Sequence, residues 1–81
     1  MKTYIFTVEL QDENNNIQYK TVDSVYANIE DAKREATKKI NIQKNMWKGS
    51  YTVKLGKGKV GLVNGMDGYS KIYHIQEMEV K

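Results

Sequence analysis

The run Val25-Tyr26-Ala27-Asn28-Ile29-Glu30-Asp31-Ala32-Lys33-Arg34-Glu35-Ala36-Thr37-Lys38-Lys39-Ile40 changes its hydrophobic period in the middle. Up to Ala27 the pattern alternates as a half-buried strand does. From Ile29 the apolar residues Ile29, Ala32, Ala36 and Ile40 recur at steps of three and four, which is one face of a helix. Asn28 stands at the change. Its side-chain oxygen can accept from an orphan N–H of the first turn, so it reads as the N-cap. Asp31, three residues on, is a shortened capping-box partner. Glu30 and Asp31 sit at the positive end of the helix dipole, and Lys38 and Lys39 at the negative end. These signals predict a helix over about residues 29–42. Glu30–Arg34 and Glu35–Lys39 have i,i+4 spacing, worth about 0.3–0.5 kcal/mol each.

Working outward, Tyr4, Phe6, Val8 and Leu10 alternate with Thr3, Thr7 and Glu9 and predict a first strand over residues 3–10. Asp12-Glu13-Asn14-Asn15-Asn16 is a hairpin loop by its turn chemistry. Ile17, Tyr19, Thr21, Val25 and Ala27 share one parity on the return strand. Asp23 shares it too, which predicts a bulge near Asp23-Ser24. After the helix, residues 41–49 read as a connection containing Met46 and Trp47. Ser50–Leu55 alternates with Tyr51, Val53 and Leu55 on one face, a tight Gly56–Lys59 turn follows, and Val60–Val63 returns. Gly65–Gly68 is a second turn. Tyr69–Val80 is the last strand, where the parity change between Tyr73/Ile75 and Met78/Val80 predicts another bulge. The sum is an α+β domain over residues 1–81: ββαββ(β), an antiparallel sheet with one helix packed on one face.

The charge is unevenly spread. Lys33 to Lys59 holds nine of the thirteen cations and only one acid, Glu35, a local net of +8; the remainder is −5 and the whole +3. A one-signed block attracts polyanions or an acidic protein face. Candidate partner-binding residues are therefore Lys33, Arg34, Lys38, Lys44, Lys48, Lys54, Lys57 and Lys59, with Trp47. Trp47 reads as an interface anchor or as a lid over the open end of the sheet. Arg34 and Lys38 lie opposite the apolar stripe. Tyr4, Tyr19 and Tyr51 have the parity of a helix-covered face, while Tyr26, Tyr69 and Tyr73 are less constrained.

Chemistry finds little support. Gly56, Gly58 and Gly61 match the glycine spacing of a kinase phosphate loop, but no V-A-I-K lysine strand, H-R-D or D-F-G segment follows. The dinucleotide version needs a helix there, and residues 64–68 cannot supply one. His74 is the only histidine and there is no cysteine, so no metal set, disulfide or nucleophile–base pair is legible. No enzyme, cofactor or metal is expected. A cysteine-free chain suits a reducing cytoplasm, and no apolar run approaches the roughly 18–20 residues of a membrane span. Eighty-one residues bury only roughly 60–65% of their unfolded surface, so the stability margin is small.

The segment Val25–Lys38 resembles the central part of small phage-encoded anti-CRISPR proteins that act on type I-F systems. There too an M-K-x-x-Y-type opening strand and a second strand lead to an acidic-A-K-R-x-A-x-K helix. The resemblance covers about the first two thirds of this chain. It implies a cytoplasmic protein of a bacterial host cell, encoded by a phage or mobile element. It also implies occlusion: the inhibitor sits on a Cas effector and blocks its target DNA, with Lys33, Arg34 and Lys38 as the matching residues. The glycine hairpin and the final strand depart from that pattern. Two other readings use the same residues: a direct DNA or RNA binder, and a small domain that oligomerises through strand edges, giving a monomer or a small homo-oligomer.

Overall fold

Alternation along the first strand sorts its side chains to two sides, and the rest of the fold follows from covering one of them. The computed structural model describes residues 1–80. Its elements are β1 (Lys2–Gln11), β2 (Ile17–Tyr26), α1 (Ile29–Met46), β3 (Tyr51–Gly56), β4 (Lys59–Val63) and β5 (Ser70–Glu79). The strands make one antiparallel sheet in the order β2-β1-β5-β4-β3. The helix packs on β1, β2 and β5, leaving the β4–β3 flank less covered. The α+β class and the single packed helix agree with the sequence. No helix among the described residues is long and apolar enough to cross a membrane.

Phe6, Val8, Ala36, Leu62 and Tyr73 form the core, with Tyr26, Ile40, Trp47 and Ile75 packed against it. Phe6 and Leu62 are the largest fully buried side chains, and the Phe6 ring stacks on Tyr73 with centroids 6.2 Å apart. Ala32 and Ala36 are buried because their small side chains let the helix lie close on the sheet.

Several local readings hold. Asn28 is the N-cap, its Oδ1 accepting from the Glu30 N–H at 2.8 Å. The bulge falls at Asp23, since Phe6 faces Ser24 while Thr7 faces Val22. A second irregularity leaves Gln18 unpaired between Tyr19 and Ile17. The two shifts correct the shared parity read from the sequence: Tyr19 and Thr21 lie on the helix side and Ile17 and Val25 on the open side.

Other readings need correction. The helix continues to Met46 rather than ending near residue 42. Gln43 and Trp47 extend the Ala36–Ile40 stripe, and no helix breaker occurs before Gly49. The predicted i,i+4 pairs do not form. Glu30 meets Lys33 at 3.9 Å, Asp31 meets Arg34 at 3.0 Å, and Lys39 reaches across to Asp23 at 3.7 Å. β5 carries no bulge: its register with β1 runs unbroken from Ser70 to Glu79. Residues 76–80 are all exposed, so neither side of that end demands burial. Tyr51, Val53 and Leu55 share a face as expected, but through Val63 and Ser70 that face lines up with Gln11, opposite Phe6 and the helix. Tyr51 is 54% exposed, whereas Tyr73 belongs to the core.

Candidate partner-binding surface

The cations of the basic block divide among three places. On the helix, Lys33, Arg34, Thr37 and Lys38 line one shallow outer surface with Glu30 and Asn41. Arg34 there is held by Asp31, and Lys33 lies near Glu30. These pairs are exposed and worth about 0–1 kcal/mol. Lys44 follows Ile40 by four residues and so lies on the same side of the helix. Lys48 lies in the turn between α1 and β3.

The β3–β4 hairpin supplies the second group. Lys54 pairs with Val60, on the helix side of the sheet, and Lys57 precedes Gly58 at the tip. Gly58 has φ +68°, the left-handed region open to glycine. Its carbonyl accepts from the Ile75 N–H at 2.8 Å, which ties the tip to β5. Lys33, Thr37, Gly58 and Val60 line one groove of about 280 Å³ between helix and hairpin. Here a helix cation, Lys33, meets the hairpin backbone at Gly58 and the Val60 side chain.

Lys59 is the exception. It pairs with His74 on the open side of the sheet. It lines a depression of about 30 Å³ with Thr7, Glu9, Lys20 and His74, room for about one water. Partial burial, then Lys59, then Lys20 hold His74 below its ordinary pKa. No protein-family model, curated protein or solved structure matches this chain. Among the described residues, no three His, Asp or Glu side chains gather to hold a metal ion.

Trp47 packs half-buried against the core as a lid, with the Lys71 ammonium 5.9 Å from the centre of its ring. Lys71 was not legible as special in the sequence, because its significance depends on a helix residue 28 positions away. Its Nζ donates to Gln43 Oε1 at 2.7 Å between helix and sheet. Burial, then the nearby Lys39, lowers its pKa. Burial likewise pushes the Tyr73 hydroxyl up to about 12, with Tyr19 adding to the shift.

The Lys71–Gln43 contact makes a testable case of coupling. Lys71→Met alone leaves the buried Gln43 amide oxygen without its donor and is expected to cost about 1–3 kcal/mol. Adding Gln43→Leu removes both polar partners and should recover most of that loss. Urea unfolding of the two single variants and the double variant checks this. Costs that simply add would contradict it.

Proposed function

We propose that this domain is a stoichiometric binding protein that inhibits a host nucleic-acid machine by occlusion, in the manner of the anti-CRISPR proteins its helix resembles. The working surface is the helix–hairpin side, which engages an acidic protein face or the site that nucleic acid otherwise holds. One observation carries the reading. Lys38 and Lys44 on the helix and Lys54 and Lys57 on the hairpin have no ion-pair partner among the described residues. Unpaired like charges repel one another, so a partner that neutralises them gains free energy.

The test is binding to candidate Cas effector complexes by wild type and by the triple variant Arg34→Glu, Lys38→Glu, Lys54→Glu. All three side chains are exposed, so the fold should survive and the circular dichroism spectrum should not change. Binding is expected to weaken by about a hundredfold or more, since each reversal replaces attraction with repulsion. Affinity unchanged by the triple variant for every effector that binds would reject the reading.

Direct binding to DNA or RNA is the second reading. Lys20 and Lys59 favour it, because they add two cations beside Glu9 on the opposite side of the sheet. Duplex binding of this kind falls with salt at a log–log slope of about −0.9 per phosphate contacted. A gel shift without a salt-sensitive complex rejects it.

A further inference from the structure

The groove between α1 and the β3–β4 hairpin has two chemistries in one place. Its floor is apolar: Ala36 and Ile40 from the helix, Val60 from β4, Tyr73 and Ile75 from β5. It stays open because the helix covers β1, β2 and β5, and the hairpin stands beside it. The hairpin tip, tied to Ile75, fixes one end. The rim is cationic. Lys33 lines the groove directly, Lys54 is the cross-strand neighbour of Val60, and Lys57 adjoins Gly58. Lys44 stands one helical turn beyond Ile40. The nearest helix acid, Glu30, is 3.9 Å from Lys33 in an exposed pair, which leaves most of the rim charge unbalanced.

We propose that this groove docks an acidic peptide segment of the partner, seating a large aliphatic or aromatic side chain on the floor while flanking carboxylates meet Lys33, Lys54 and Lys57. This rests on the basic-surface reading above and names what that surface recognises. Charge complementarity selects an anion, and the floor selects which kind. A phosphate backbone would satisfy the lysines and leave the apolar floor unfilled. Nor is a ring face offered for base stacking, since Tyr73 is only 4% exposed. A peptide with hydrophobic and acidic residues satisfies both.

The test uses three probes on the whole chain: a short fluorescein-labelled peptide with leucines among glutamates, an all-glutamate peptide of equal charge, and a short DNA duplex. The leucine-containing peptide is expected to bind saturably and about tenfold or more tighter than the all-glutamate one, a difference of one decade in Kd. Amide shifts should centre on Thr37, Gly58 and Val60. Thr37→Trp fills the groove from its exposed lip and leaves every charge in place. It should weaken the leucine peptide about tenfold and leave the all-glutamate peptide unchanged.

Equal affinity for the two peptides would overturn the groove proposal. So would shifts centred instead on Tyr51, Val53 and Leu55 of the open face, or tighter binding of the duplex. If the peptides bind equally and Lys33→Glu with Lys54→Glu weakens both, the groove fails while the basic surface stands. If neither peptide binds and the triple variant above leaves effector binding intact, both fail.

Discussion

Phe6→Ala is expected to remove about half of the domain's stability. Phe6 is 0% exposed, packs with Val8, Ala36 and Leu62, and stacks on Tyr73. Removing a buried phenyl ring costs about 3–5 kcal/mol, through lost transfer energy and the cavity left behind. A domain of this length has about 4–12 kcal/mol in total, and without cysteine no disulfide supports it. Urea denaturation followed by circular dichroism should show the midpoint falling by half or more, or no cooperative transition. Phe6→Leu keeps most of the volume and should cost about 1–2 kcal/mol. A Phe6→Ala midpoint near that of wild type would mean that the core is not centred here.

Gly58→Val is expected to be the most damaging change outside the core, at about 2–3 kcal/mol. Two independent constraints act on this residue. Its φ of +68° is rarely adopted by a β-branched side chain. A Cβ at this position would also lie 2.8 Å from the Ile75 carbonyl oxygen, a backbone atom that cannot rotate away. The neighbouring Gly56 has neither constraint, with nothing within 4 Å of its Cβ position. Gly56→Ala should therefore stay within about 0.5 kcal/mol of wild type. Hydrogen exchange gives a local readout: in Gly58→Val the Ile75 amide, which donates to the Gly58 carbonyl, should lose protection. Retained protection and stability would show that the tip adapts without leaving β5.

Residue 58 illustrates how far the sequence could be read. The glycines around Lys57 and Lys59 identify a tight turn, because such turns need positive φ. They do not reveal that the tip is bonded to Ile75, seventeen residues later in the chain. Local chemistry was legible where its cause is local. Asn28 caps the helix because an Asx side chain meets the second N–H beyond it, and the bulge at Asp23 shows as a break in the period-two pattern. The end of the helix was misread at residue 42 because Gln43 does not look apolar. It is buried by its bond to Lys71, a tertiary partner. The side of Tyr51 was misread for a related reason. Period two shows that Tyr51, Val53 and Leu55 go together, but not which side the helix takes.

The candidate surface divides along the same line. Net charge by segment follows from composition, and helical spacing alone puts Arg34 and Lys38 outside. The sequence by itself therefore determined the ββα opening, the N-cap, the hairpins, and a cationic block too one-sided to serve as core. Tertiary structure decided the rest. It sent Lys59 to the open face and Trp47 against the core. It paired Arg34 with Asp31, and it brought Lys33 and the hairpin together over an apolar floor. The physical reason is that periodicity and capping act over one turn or one pleat, whereas strand order and register arise from the collective burial of Phe6, Leu62 and Tyr73.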